Sequence, residues 1–331
     1  MQIETPYLLF LGDARDALAA KTGQGIVDWR PDAVAGQMRL PGCGADLGVR
    51  ELTIAKAARA GARTFVIGAV NPGGVLPQAW RSHVIEALEA GLDVASGMHV
   101  RLAGIPGIAE TAHRLGRRLF DVRHPAGTFH TASGRKRTGK RLLTVGTDCS
   151  VGKKYTALAI ERELVRRGVD VDYRATGQTG ILIAGSGIAI DAVVSDFAAG
   201  AAEALSPDAG ADHWDVVEGQ GSLFHPSFAG VSLALLHGTQ PDTFVVCHEP
   251  TRRTMRNVET PIARIEDVIS ETTALGRLTN PDVRCAGIAL DTSALSENDA
   301  KRVIDETASQ FEVPACDPVR QGVGVIVDGL P

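Results

Sequence analysis

The chain has no long apolar run, no excess of basic residues, few aromatic side chains and no closely spaced cysteine pair. Each absence removes a class of function. A membrane-spanning helix needs about 20 apolar residues, and no stretch approaches that length. Thirty-four basic residues against 39 acidic give a formal charge of −5, which leaves no electrostatic footprint for nucleic acid or an anionic membrane. With only 5% aromatic residues, base-stacking platforms are not expected either. The five cysteines (Cys43, Cys149, Cys247, Cys285 and Cys316) are scattered. That pattern argues against a zinc site or a disulfide framework and suits a reducing cytoplasm. The opening "MQIETPYLLFLGDARD" carries Glu4 and a brief apolar run; it predicts a first strand and not a signal peptide.

What is present is a long chain with ordinary hydrophobic content, 44% of 331 residues, enough for two domains with separate cores. In the first part, "YLLFLG", "TFVIGA", "LDVAS" and "RLFDVR" read as strands. Between them, "VRELTIAKAARAG" and "PQAWRSHVIEALEAG" have apolar positions at helical spacing and end on Gly61 and Gly91, as helix C-termini do. This alternation predicts a Rossmann-like parallel sheet over residues 1–123. "GCGADLG" (Gly42–Gly48) has the wrong spacing for a dinucleotide loop and no strand before it in this reading. Residues 124–140, with four cationic side chains between Arg135 and Lys140, read as a solvated linker. Residues 141–331 then repeat the alternation, with strands in "RLLTVG", "VDVDYRATG", "WDVVEGQG", "DTFVVCHE" and "RCAGIALD" and helices in "KKYTALAIERELVRRG", "ARIEDVISETTALG" and "ENDAKRVIDETASQ". The expectation is a second doubly wound α/β domain of the P-loop NTPase-like type, with ligands at the carboxyl ends of its strands.

The chemistry concentrates in "GTDCSVGKKYT". A strand runs into Gly146, and the residues Thr147, Asp148, Cys149, Ser150, Val151 and Gly152 lead into a helix that begins with Lys153, Lys154 and Tyr155. Backbone amides curling at a helix N-terminus, with a lysine beside them, form a phosphate cradle. The residue after the glycine–lysine pair is normally Ser or Thr, which holds magnesium; here it is Lys154. Thr156 lies about 200° further round the helix, a poor replacement. The loop therefore predicts a grip on a diphosphate in which magnesium is not essential, since that ion needs oxygen ligands. Coenzyme A and ADP-like molecules both carry such a diphosphate.

Polar residues near other strand ends supply the remaining candidates. Glu218 closes the strand in "DVVEGQGSL", and "GSLFHPS" places His225 soon after it. His248 ends the strand in "VVCHEPTRRTMR", where Arg252 follows with Arg253 and Arg256. Glu218, His225 or His248 could serve as a general base. Arg252 or Arg174 could clamp a carboxylate. Gln178 and Thr179 in the glycine-bracketed "YRATGQTGILIAG", with Asn71 in "GAVNPGGVLP", are substrate contacts in this reading. Asp191 is assigned to the site and Asp196 to a helix cap.

The G-T-D-x-x-V-G-K pattern resembles dethiobiotin synthetase and its relatives, and the E-G-x-G segment at Glu218 is similar to theirs. Over nearly the whole chain, "GTDCSVGKKYTA", "RATGQTGILIAG", "VVEGQGSLFHPS", "VVCHEPTR" and "NPGG" resemble a bacterial and archaeal domain-of-unknown-function family. That family joins a Rossmann-like N-terminal domain to a phosphate-loop C-terminal domain. Some of its members are D-glutamate N-acetyltransferases that use acetyl-CoA and are paired with a dehydrogenase in D-glutamate breakdown. The resemblance implies an N-acetyltransferase that moves acetyl from acetyl-CoA to the amine of D-glutamate; a homo-oligomer in the cytoplasm is expected. In this reading the loop grips the coenzyme A phosphates, and Cys149 is a competing acyl-carrying nucleophile. An ATP-dependent ligase and a nucleotide-switched, non-catalytic protein remain the alternatives.

Overall fold

Short strands, most of them buried and apolar, alternate with helices and fold here into two parallel sheets, as expected when helices cover both faces of a sheet. The computed structural model describes residues 2–70, 74–125 and 127–331. They divide into two units, Met1–Ala126 with Gly177–Ala192, and Gly127–Thr176 with Val193–Pro331. Among the described residues no helix is long and apolar enough to cross a membrane.

The first unit runs β1 (Tyr7–Gly12), α1 (Lys21–Trp29), β2 (Val34–Arg39), α2 (Ile54–Arg59), β3 (Thr64–Ile67), α3 (Arg81–Glu89), β4 (Asp93–Ser96), α4 (Ile108–Leu115) and β5 (Leu119–Asp121). Its sheet has the order β2-β1-β3-β4-β5, parallel throughout. Strand β2 corrects the sequence reading: "GCGADLG" does follow a strand. "VAGQMR" escapes notice because it has one β-branched residue and a glycine in its middle. Gly36 is needed there, since a Cβ would lie 2.3 Å from the Arg50 carbonyl oxygen. Gln37 ties the loop down by accepting from the Leu47 amide and donating to Asp46. At the turn after β1, Gly12 has φ of +55°, and Trp80 lies across it, within 2.2 Å of where a Cβ would be. The indole also donates to Asp13 at 2.9 Å. That turn is capped by an aromatic ring.

The second unit begins with β6 (Lys140–Gly146), α5 (Lys153–Arg166) and β7 (Val171–Arg174). The chain then enters α6 (Gln178–Ala184), which belongs to the first unit. It returns for α7 (Ser195–Leu205), β8 (Trp214–Val217), α8 (Ala229–Thr239), β9 (Thr243–His248), α9 (Ile265–Gly276), β10 (Arg284–Leu290), α10 (Glu297–Phe311), β11 (Ala315–Cys316) and α11 (Gly324–Val327). The sheet order is β11-β10-β9-β6-β8-β7, again all parallel. This puts β6 and its phosphate loop in the middle of the sheet.

Two further readings change. "QTGILIA" is a helix and not a glycine-rich loop, with Gly177 and Gly185 at its two caps and Gly180 inside it. The cationic stretch before β6 is not uniformly solvated. Arg137 is buried and donates to the carbonyls of Ser206, Gly238 and Thr239 and to the Gln240 side chain. Arg141, fully buried, donates to the carbonyls of Arg137, Thr138 and Pro207. Burial draws the Arg137 pKa down to about 10. These guanidiniums satisfy carbonyls at the carboxyl ends of α7 and α8 and in the adjoining loops that would otherwise be orphaned.

Candidate functional site

Strand β6 delivers Gly146 to the carboxyl edge of the sheet, where a Cβ would come within 2.8 Å of Val151 and 3.0 Å of the Cys247 carbonyl. The chain therefore turns at a residue that only glycine fits. Ser150 and Gly152 take left-handed φ values of +53° and +98°, which bend the loop around a concavity. Helix α5 starts at Lys153 with no side-chain cap. The amides of Ser150, Val151, Gly152 and Lys153 have no intramolecular acceptor among the described residues. Unsatisfied amides at the positive end of a helix dipole form an anion site.

The loop is held from behind by Asp148, which is fully buried. One carboxylate oxygen accepts from the Cys149 amide at 2.6 Å; the other accepts from Arg252 Nη1 at 2.8 Å and the Arg256 amide at 2.7 Å. Arg252 also donates to the carbonyls of Cys149 and Ser150 at 2.6 and 3.0 Å, and through Nε to Glu249 at 2.8 Å. Its donors are thus spent on the loop, which corrects its assignment as a substrate clamp. Arg256, exposed, reaches Ser150 Oγ at 2.8 Å. Lys153 is buried, and its ammonium donates to the Asp148 carbonyl at 2.6 Å. Burial lowers its pKa, and an arriving phosphate would oppose that shift. Lys154 places its Nζ 4.4 Å from the centre of the Tyr155 ring.

The oxygen-bearing side chains around the loop have partners within the protein. Thr147 pairs with His248 Nδ1 at 2.9 Å. Thr156 donates to the Gly152 carbonyl at 3.1 Å. Glu218 is buried and accepts from the Tyr173 hydroxyl and the Thr176 amide, each at 3.1 Å. Gly219 next to it allows the close approach, because a Cβ would lie 1.7 Å from the Thr144 carbonyl oxygen. His225 is also buried, and both ring nitrogens are used, Nδ1 accepting from the Ser227 amide and Nε2 facing the Arg256 carbonyl. His248 differs. Its Nε2 has no partner among the described residues, and burial draws its pKa down to about 4, with Glu249 opposing the shift and the Arg252 charge adding to it. It is neutral at physiological pH. The Cys149 thiol has its pKa raised by burial, which weighs against the nucleophile role.

The remaining candidates have other described partners. Arg174 folds back from the carboxyl end of β7 to pair with Asp215 at 2.5 Å and Asp172 at 2.8 Å. Gln178 and Thr179 sit on α6 in the first unit, with Thr179 Oγ1 3.4 Å from Thr22 Oγ1 and the Gln178 side chain against Gly97. Asp191, in the same unit, pairs with Arg123 at 3.2 Å. Asp196 lies in the first turn of α7 without capping it. Asn71 lies outside the described residues.

Sequence reasoning missed a cavity of about 460 Å³ beside the start of α5, lined by Val151, Gly152, Tyr155, Leu290, Asp291 and Arg320 among others. Asp317, buried below it, accepts from the Thr292 hydroxyl and from the amides of Thr292, Val319 and Arg320. It staples the loop after β10 to the loop after β11. "ALDTS" and "ACDPVR" each place an aspartate straight after an apolar strand, a signal that could have marked these ends.

A family described as the DUF1611 domain of unknown function matches in both parts. Its P-loop domain covers residues 128–327 and its Rossmann-like N-terminal domain covers residues 38–125. A curated protein from Tritonibacter scottomollicae, named D-glutamate N-acetyltransferase, is 51% identical over 99% of each chain. One of the same name from a Pseudoalteromonas species is 49% identical over the full length of both. The crystal structure of a DUF1611 family protein from Anabaena variabilis shares the fold with a TM-score of 0.85 and 30% identity, covering 98% of this chain and 99% of that one. The two domain matches in series, with relatives similar from end to end, make this chain a member of the DUF1611 family.

Proposed function

We propose that the protein is a D-glutamate N-acetyltransferase that takes acetyl from acetyl-CoA. The name borne by its two full-length relatives supports the reaction. One structural observation carries the choice of donor. The phosphate loop offers unpaired amides and two lysines, while Asp148, Thr147, Thr156 and Glu218 are bound to other groups. Such a site neutralises a diphosphate with amides and ammonium groups, without magnesium. Acyl transfer needs this grip and no phosphoryl chemistry. The neighbouring cavity of about 460 Å³ is of a size to take the nucleoside end of such a donor.

In the reaction the D-glutamate amine attacks the thioester carbonyl. The C–N bond forms, the C–S bond breaks, and the thiolate leaves with coenzyme A. Among the three candidate bases, His248 has the unengaged nitrogen. Thr147 fixes its ring through Nδ1, and Nε2 accepts the amine proton and passes it to the departing thiolate, whose higher pKa draws it on. Glu218 and His225 act as supports for the walls of the site. A homo-oligomer working in the cytoplasm beside a dehydrogenase belongs to the same reading.

The test supplies acetyl-CoA with a panel of D- and L-amino acids and follows thiol release, with ATP turnover measured in parallel. The expected result is thiol release with D-glutamate that persists in EDTA. Magnesium-dependent ATP hydrolysis without thiol release would overturn the proposal in favour of a ligase-like or switch protein.

A further inference from the structure

We propose that Arg256 holds the side-chain carboxylate of the acceptor, D-glutamate, and sets the preference for an acidic amino acid. This rests on the acetyltransferase reading and adds to it the residue that selects the substrate.

A guanidinium grips a carboxylate best as a fork, through two nitrogens on one edge. In Arg252, Nε faces Glu249, Nη1 faces Asp148 and Nη2 faces the Ser150 carbonyl. In Arg174, Nε and Nη2 face Asp215 and Asp172. Arg256 is exposed and engages Nη1 on Ser150 Oγ at 2.8 Å; its Nε and Nη2 have no partner among the described residues. Its main chain is nevertheless fixed. The Arg256 amide donates to Asp148 at 2.7 Å, and its carbonyl faces His225 Nε2 at 3.0 Å. Around it the chain turns back on itself, with the Met255 amide donating to the Thr260 carbonyl and the Ile262 amide to the Arg253 carbonyl. Met255 is buried, and Asn257 takes the turn at φ of +63°, a conformation asparagine tolerates. Arg256 therefore presents an open edge on a pinned stem.

Arg256 lines a concavity of about 440 Å³, room for an amino acid. Glu259 is the one carboxylate in that lining among the described residues. It is exposed, so solvent and salt screen its repulsion more than they weaken a forked pair in contact. The placement fits the proposed chemistry. His248 ends β9, and Arg256 lies on the loop that follows. His248 is anchored to Thr147, while Arg256 is anchored to Asp148 through its amide and to Ser150 through its side chain. Residues three apart along a chain lie within about 10 Å of each other. In glutamate the side-chain carboxyl carbon extends about 5 Å from the amine. An acid whose amine meets His248 Nε2 has, in that far carboxylate, the group with the reach for Arg256. The loop amides and Lys153 meet the donor's diphosphate in this reading, which leaves the Arg256 edge to the acceptor.

The experiment follows thiol release from acetyl-CoA with D-glutamate and with D-glutamine, its neutral isostere, in the wild type, Arg256→Gln and Arg256→Lys. The wild type should prefer D-glutamate in kcat/KM by about thirtyfold or more, the range of a forked, charged pair. Arg256→Gln should raise the KM for D-glutamate by about the same factor and bring the preference to within about threefold of one. Arg256→Lys should keep part of the preference, since an ammonium supplies charge without the fork. Both substitutions spare the main-chain bonds to Asp148 and His225, so acetyl-CoA affinity in calorimetric titration should stay within about threefold. Equal use of the two amino acids by the wild type, or a preference that survives Arg256→Gln, would overturn this inference alone. So would a fall in acetyl-CoA affinity matching the rise in KM, which would put a donor phosphate on Arg256. No thiol release from the wild type with either amino acid would defeat the acetyltransferase reading and this inference with it.

Discussion

Both sheets place a glycine turn at the carboxyl end of a central strand, and only one of the two turns is left open to a ligand. After β1, Gly12 is covered by the Trp80 ring, and the Gly23 amide of α1 donates to the Gly68 carbonyl beyond β3 at 2.8 Å. The indole thus covers this turn, at a strand end where an open α/β sheet can take a ligand. After β6, Gly146 leads straight into a helix whose first amides have no partner, and the loop is braced from behind by Asp148 and Arg252. Parallel topology creates the opportunity at both turns. Side chains decide whether a strand end becomes a core or a binding site.

The largest effect is expected where the open turn depends on close backbone approach. Gly219→Ala puts a methyl group 1.7 Å from the Thr144 carbonyl oxygen, which should cost about 3 kcal/mol or more, measured by urea unfolding. A stable Gly219→Ala protein would show that the two strands are not pressed together as described. Next comes the brace. Arg252→Ala removes the donors that fix the loop and leaves buried Asp148 with one charged partner fewer. It should weaken acetyl-CoA binding about a hundredfold, roughly 2.7 kcal/mol, in calorimetric titration. Trp80→Ala, at the closed turn, should leave that affinity within about twofold. A large loss of acetyl-CoA affinity in Trp80→Ala would erase the contrast between the turns.

A third prediction concerns pH. His248 titrates near 4 in the folded protein, below about 6.5 for an unfolded histidine. The unfolded state therefore binds the proton more readily. The stabilisation is complete above about pH 6.5 and disappears as pH falls toward 4. With discounting for partial exposure it is of order 2 kcal/mol. His248→Gln should flatten stability across that window, and an unchanged slope would mean that another group titrates there. The smallest effect is at the closed turn, where Trp80→Phe removes the hydrogen bond to Asp13 and should cost about 1 kcal/mol in unfolding.

The phosphate loop was legible because its signal is local: a strand, glycines, lysines and a helix in one stretch. The alternation of strands and helices was legible for the same reason. What escaped depends on partners far away in sequence. Arg252 reads as a free clamp until Asp148, 104 residues earlier, is found at its Nη1. Arg137 reads as a solvated cation until the carbonyls of Ser206 and Gly238 close over it. Gln178 and Thr179 follow the β7 strand directly, and nothing in their own segment says that the chain leaves for the first unit there. Strand β2 was hidden by composition, since Gly36 and Gln37 are poor strand formers held by contacts with Arg50 and Leu47.

The central claim is that the loop of residues 146–153 is a magnesium-independent cradle for acetyl-CoA. Calorimetric titration of the wild-type protein with acetyl-CoA, once in magnesium and once in EDTA, tests it directly. The account predicts affinities equal within about twofold, and loss of binding in Lys153→Met under both conditions. Binding that requires magnesium, or binding that survives Lys153→Met unchanged, would contradict it.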